Sequence, residues 1–271
     1  MSGITQTGKA PMSNPSTLRP WDALEQAGVQ NFHYLDAPRL ETHALFAQAP
    51  QRVLDIGCAS GAVGLGIKKA FPHAVVIGCE LNLQSAEIAR TRLDMVYTKP
   101  LREWSPAECE TLKTLDTVML LDVLEHMPNP WAELAFLSQH LPSGVQVIVS
   151  LPNIGHLSTF SQLASGFWHY MPAGIMDITH LRFFTEYEML RMFYQTGFKV
   201  DKKIYLAVPP NLQKFTKYPV HVNIKDKMTL QVRDETHWMQ LNAIQLGFRI
   251  SPAEDAALSA EELTLRHGAH A

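Results

Sequence analysis

The fold is decided by Val53-Leu54-Asp55-Ile56-Gly57-Cys58-Ala59-Ser60-Gly61. An apolar strand runs into a turn of small residues. A helical pattern over residues 62–71 follows at once, with Lys68 and Lys69 suited to its C-terminal end. Strand, small-residue turn and helix together let a ligand approach backbone amides at a helix N-terminus. Asp55 puts a carboxylate at the strand end. Glu80 ends the next strand, residues 74–79, and stands 23 residues after Gly57. That spacing suits a carboxylate gripping a ribose diol.

Outward from this stretch the alternation continues. Further strands are expected over 95–97, 115–121 and 144–151. Helices are expected over 39–48 and 83–93, and from Asn129-Pro130, where Asn caps and Pro fills the first turn. A capping box, Thr185-x-x-Glu188, starts a helix that stops at Gly197. Strands over 198–208 and 228–233 follow, then a helix over 234–246 and an Ala-rich one from Ser251-Pro252. Strands apolar on both faces belong to a parallel sheet covered by helices. The expected class is therefore α/β, a doubly wound Rossmann-like sheet. Residues 152–184 break the rhythm with Gly, Pro, His and aromatics, and a stretch of about 30 such residues reads as functional.

Composition narrows the partners. Of 271 residues, 46% are hydrophobic and 18% charged, with a formal charge of −3. That excludes a disordered chain and gives no electrostatic case for nucleic acid or a membrane surface. Cys58, Cys79 and Cys109 make no disulfide framework, so a reduced, cytoplasmic chain is expected. No apolar run reaches the roughly 18 residues that span a bilayer. Residues 1–19 read as a mobile tail with no secretory core, residues 20–233 as the main domain, and residues 234–271 as a helical extension that covers the sheet edge or makes a homodimer contact.

Two cofactor classes fit the turn. A nicotinamide site uses G-x-G-x-x-G, and the frame here would be Gly57, Ala59 and Ala62, with the middle glycine missing. S-adenosylmethionine carries an ammonium and a sulfonium, for which a carboxylate at Asp55 is sensible. The next element, Leu120-Leu121-Asp122-Val123-Leu124-Glu125-His126-Met127, ends the fourth strand. With it the sequence resembles the class I S-adenosylmethionine-dependent methyltransferases, over roughly residues 36–233. The resemblance implies a seven-stranded sheet, mostly parallel, with residues 228–233 as the antiparallel last strand. It implies that Gly57, Cys58, Ala59, Ser60 and Gly61 pack against the methionine part and that Glu80, with Leu81 beside it, meets the ribose. Asp122 joins that set from the edge of the fourth strand. Two departures stand out: Ala59 replaces the family's usual glycine, and no acid follows the third strand near Thr98-Lys99. Ser150-Leu-Pro-Asn153, Gly166-Phe167 and Asp177-Ile-Thr-His-Leu-Arg-Phe-Phe-Thr185 resemble a bacterial subgroup associated with glycoconjugate pathways.

The expected activity is O-methylation of a small molecule or glycoconjugate precursor. The alternatives are a nicotinamide-dependent oxidoreductase and a non-catalytic cofactor-binding protein. A hydroxyl acceptor benefits from a base with near-neutral pKa, which makes His126, His156 and His180 the catalytic candidates. Two of these have a plainer reading: His126 as a partner of backbone, and Asp177-x-x-His180 as a clamp with Arg182. Cys58 reads as packing. Asp177, His180 and His156 are the nearest approach to a ligand set, and no metal site is expected. Phe167, Trp168, Tyr170, Phe183 and Phe184 are expected to line a lid or acceptor pocket, whereas Trp238 and Met239 read as packing.

Overall fold

The computed structural model describes residues 36–224 and 228–253. The expected N-terminal tail, the Lys225-Asp226-Lys227 turn and most of the Ala-rich last helix lie outside the described residues.

Five strands alternate with helices: β1 Arg52–Ile56, α1 Ala62–Ala70, β2 Val75–Cys79, α2 Leu83–Arg90, β3 Met95–Tyr97, α3 Pro106–Cys109, β4 Thr117–Leu121, α4 Pro130–His140 and β5 Gln146–Pro152. They pair in parallel in the order β3-β2-β1-β4-β5. The chain runs outward from β1 to β3, then returns to place β4 on the other side of β1. That reversal is the switch point of an open sheet, where the carboxyl ends of β1 and β4 border a crevice.

Neighbouring residues of each central strand enter opposite layers. Leu54, Val118, Leu120, Val147 and Val149 join Leu134, Leu137, Met189 and Phe193 in one core. Val53, Met119 and Ile148 join Ile67, Ala89 and Leu93 in the other. Both faces are thus covered, as the unbroken apolar runs predict. Met119 is fully buried, and truncating such a side chain to Ala costs about 2–5 kcal/mol.

The rest of the sheet differs from expectation. After α5 Leu157–Ala164 and α6 Glu186–Gln195 come β6 Phe198–Leu206, β7 Val220–Ile224, β8 Met228–Val232, α7 Glu235–Asn242 and β9 Gln245–Pro252. The expected strand at 228–233 exists as β8, but it pairs with β7 in a separate two-stranded sheet. The antiparallel strand of the seven-stranded sheet is β9, inserted between β5 and β6. The physical reason lies in β9's own side chains. Leu246, Phe248 and Ile250 are fully buried, whereas β7 and β8 each bury only one residue fully. Gly247 lets β9 pass close to Leu45, Ile204 and Leu206, whose side chains would stand 3.0–3.2 Å from a Cβ there. The division at residue 233 therefore falls before a strand that completes the main sheet.

Candidate active site

The turn after β1 takes its shape from left-handed backbone. Gly57, Ala59 and Gly61 have φ of 70°, 47° and 80°. A Cβ on Gly57 would stand 2.5 Å from Val123 Cγ2, so the glycine lets the turn lie against the chain leaving β4. Ala59 holds this region without being glycine, at a strain of about 1–3 kcal/mol.

Glu80 braces the turn from the end of β2. Its Oε2 accepts from the Ala59 amide at 2.9 Å and its Oε1 from the Asn82 amide at 2.7 Å. Each oxygen keeps a lone pair for a further donor. The amides of Gly57 and Cys58 both donate to Cys79 O, at 2.8 and 3.2 Å. Burial, then the carboxylates of Asp55 and Glu80, push the Cys58 thiol pKa upward, so Cys58 is a neutral packing residue here. Ser60 Oγ donates to Asp36 Oδ1 at 2.6 Å, and Arg92 binds the same carboxylate. Leu81, 59% exposed, presents an apolar side chain beside Glu80.

Asp55 tests whether the turn suits a cationic cofactor. It is 2% exposed, and its Oδ2 has no hydrogen-bond partner among the described residues. Burial, and secondarily Glu80, push its pKa up to about 7. A carboxylate with an unused oxygen in such surroundings gains from a nearby positive charge. The fit to the ammonium of S-adenosylmethionine is therefore good.

The other edge of the crevice is built at the end of β4. Asp122, at φ 55°, accepts from Ser150 Oγ at 2.8 Å through Oδ1 and pairs with Arg39 through Oδ2. Arg39 also donates to Gln245 at 3.1 Å. Glu125 is 1% exposed, and neither of its oxygens has a partner among the described residues. Burial, with Asp122 as the second cause, holds its carboxyl well above the usual carboxylate range.

Two imidazoles stand beside it, with ring centroids 4.9 Å apart and planes at 70°. His126 Nδ1 lies 3.2 Å from both the carbonyl and the hydroxyl oxygen of Thr179. That hydroxyl gives its own proton to Asp177 Oδ1 at 2.7 Å, so His126 Nδ1 is the donor. His180 Nδ1 donates to Ile175 O at 3.1 Å. With Nδ1 as the donor, each ring in its neutral form has its lone pair on Nε2. Burial, and next the neighbouring His126, lower the His180 pKa, which keeps that ring neutral near pH 7. Glu125, His126 and His180 each bring a ligand-capable atom within 4.8 Å of the others. The insertion holds them there: the Leu181 and Arg182 amides donate to Glu125 O at 2.9 and 3.1 Å.

Residues 30–203 match the model of a family described as a methyltransferase domain. The chain belongs to this methyltransferase family. It is similar to the ubiquinone biosynthesis O-methyltransferase of Aromatoleum aromaticum, at 27% identity over 173 residues, covering 62% of this chain and 72% of that relative. It is similar over a shorter span to the trans-aconitate 2-methyltransferase of Rhodococcus jostii, at 27% identity, covering 39% and 40%. A SAM-dependent methyltransferase from Archaeoglobus fulgidus shares the fold at 20% identity and a TM-score of 0.50, covering 79% of this chain and 94% of that one. The protein is an S-adenosylmethionine-dependent methyltransferase, and the nicotinamide reading is set aside.

In this methyltransferase the sequence candidates fall into two groups and some outliers. Asp55, Gly57, Cys58, Ala59, Ser60, Gly61, Glu80 and Leu81 lie in and beside the turn after β1. His126 and His180 meet, but His156 stands outside their cluster. Its Nδ1 accepts from the amide and the hydroxyl of Ser158, at 3.1 and 2.8 Å, which caps α5. Asp177 supports Thr179, and Arg182 donates to Pro128 O at 2.6 Å rather than serving as partner to an Asp177-x-x-His180 clamp. Phe184 is core, at 2% exposed, whereas Phe167, Trp168 and Tyr170 are exposed. Trp238 packs as expected, beside Val232 and Leu241. A cavity of about 530 Å³ lies between α5 and β7, with Phe167 in its wall. Sequence reasoning passed over Arg39 and Glu125. The signal for Glu125 was its place beside His126, and nothing in that run of sequence shows that both of its oxygens are buried.

Proposed function

We propose that this methyltransferase transfers the methyl group to a hydroxyl of a small molecule or glycoconjugate precursor. The observation that carries this is the cluster of Glu125, His126 and His180 at the end of β4. An O-methyl transfer must dispose of the hydroxyl proton, and an imidazole with a free Nε2 is suited to take it. The similar O-methyltransferase of Aromatoleum aromaticum and the Asp177–Thr185 segment support the oxygen and the acceptor class.

When bound, S-adenosylmethionine supplies an electrophilic methyl on a sulfonium. Asp55 would meet its ammonium and Glu80 its ribose hydroxyls, while Leu81 would cover an apolar face. Asp122 is engaged by Arg39 and Ser150 and acts by fixing the end of β4 rather than by touching cofactor. The acceptor hydroxyl loses its proton to the cluster as its oxygen bonds to the methyl carbon. With the proton on the cluster, methyl transfer from the bound cofactor would give a methyl ether and S-adenosylhomocysteine. Much of the rate comes from holding oxygen and methyl in line. The exposed Phe167, Trp168 and Tyr170 offer faces to the remote part of the acceptor.

The test is an incubation with S-adenosylmethionine and a panel of hydroxyl and amine acceptors, read by mass spectrometry. A gain of one CH2 on a hydroxyl oxygen supports the reading. Methylation confined to amines overturns it.

A further inference from the structure

The cavity of about 530 Å³ between α5 and β7 falls within the roughly 300–1,000 Å³ range of small-molecule pockets. Ser158, Ser161, Gln162, Ser165 and Asn223 give its wall hydroxyls and amides, and Phe167 gives it an aromatic face. Among the described residues no acidic, basic or imidazole side chain lines it. The sequence carries the same feature further: residues 134–176 hold no Asp, Glu, Lys or Arg, in a chain that is 18% charged. The polar groups are already oriented. Asn223 Oδ1 accepts from Thr229 Oγ1 at 2.8 Å, and Gln162 Oε1 accepts from the His169 amide at 3.3 Å. Both side-chain NH2 groups therefore remain to donate. Ser165 Oγ donates to Ser161 O at 2.8 Å, and Ser158 Oγ donates to His156 Nδ1 at 2.8 Å. Both hydroxyl oxygens therefore keep lone pairs to accept.

We propose that this cavity binds an uncharged sugar ring, the part of the acceptor remote from the methylated hydroxyl. Oriented donors and acceptors match ring hydroxyls, and the Phe167 face matches the C–H face of the ring. An alkyl chain would take water from the wall's hydroxyls and amides and give them no partner in return. A phosphate or carboxylate would find no cation there. Aromatic contacts join the cavity to the histidines after β4. Trp168, next to Phe167 in the chain, meets Phe183 edge to face with ring centroids 5.2 Å apart, and Phe183 stands 6.1 Å from His180. The link to the methylated hydroxyl rests on the O-methyl transfer reading, whereas sugar binding in the cavity stands without it.

The test is saturation-transfer NMR of the full chain with the methyl glycosides of glucose, galactose, mannose and N-acetylglucosamine, without S-adenosylmethionine. At least one glycoside is expected to bind, and neither octan-1-ol nor glucose 6-phosphate is expected to displace it. Its affinity should fall about fivefold in each of Asn223→Ala, Gln162→Ala and Phe167→Ala. Calorimetry with S-adenosylhomocysteine on the same samples reports folding and should give the same affinity in all of them. No glycoside signal from a chain that binds S-adenosylhomocysteine overturns the proposal. Glycoside affinity unchanged in all three variants, or displacement by octan-1-ol or glucose 6-phosphate, overturns it too. Each of these results leaves the O-methyl transfer reading to its own mass-spectrometric assay. Glycoside binding that weakens in the variants of a chain that methylates only amines supports the sugar site and overturns that reading instead.

Discussion

The two edges of the crevice are built on opposite plans. The turn after β1 is local: residues 55–61 and Glu80 lie within 26 positions, and backbone conformation makes the site. The edge after β4 is assembled at long range. Glu125 and His126 come from the end of β4, His180 comes from the insertion after β5, and Arg39 reaches in ahead of β1. A local backbone site tolerates side-chain change at most positions but depends on φ. A long-range cluster depends on the few side chains that meet. Substitutions should therefore separate binding from turnover.

The largest effect belongs to the cluster. His126→Ala or His180→Ala is expected to lower kcat about 10²–10⁴-fold while S-adenosylhomocysteine affinity changes little. Steady-state kinetics beside calorimetry checks this, and equal losses in both would erase the distinction between the edges. Next comes Glu80→Ala. It removes the acceptor for the Ala59 and Asn82 amides together with the proposed ribose contacts, so cofactor affinity should fall about 100-fold. An unchanged Kd would show that Glu80 serves only the turn.

Asp55 gives a smaller effect with a pH signature. Folding raises its pKa from 3.8 to about 7, so between those values the folded chain keeps a proton that the unfolded chain has lost. Stability of the free protein contributed by Asp55 thus falls as pH rises from about 4 to about 7, and Asp55→Asn should flatten that fall. An ammonium favours the charged carboxylate, so S-adenosylmethionine binding near pH 6 should release a proton. Calorimetry in buffers of different ionisation heat reads that proton, and Asp55→Asn should abolish it with about tenfold weaker binding. Proton release that persists in the variant would assign it to another group. The smallest effect is Ala59→Gly. Relief of about 1–2 kcal/mol of left-handed strain is partly offset by about 0.5–1 kcal/mol of added freedom in the unfolded chain. Thermal melts should show a small rise in Tm, and a fall would mean that the Ala59 methyl is packed.

The same contrast explains what could be read from the sequence. The β1 turn, Glu80 and the parallel strands were legible because strand period, small-residue turns and apolar runs are local signals. Met95–Tyr97 appears with the expected bounds, and the other parallel strands within two residues of theirs. The sheet order past β5 was not legible. Residues 228–233 and 245–252 both alternate apolar and polar side chains, and only packing against Leu45 and β5 selects the second for the main sheet. α5 was missed because a histidine, not Ser, Thr, Asp or Asn, caps it. His180 was singled out by residue type, but its partner Glu125 was not. No spacing rule connects positions 125 and 180; the hydrogen bonds from Leu181 and Arg182 to Glu125 O do.

The most direct measurement is a crystal structure with S-adenosylhomocysteine bound. The expected result places the amino acid part at Asp55 and the turn, the ribose at Glu80, and the sulfur facing Glu125, His126 and His180 across the crevice. A sulfur turned away from that cluster, or a cofactor seated in the cavity between α5 and β7, would contradict the pairing of the two edges into one active site.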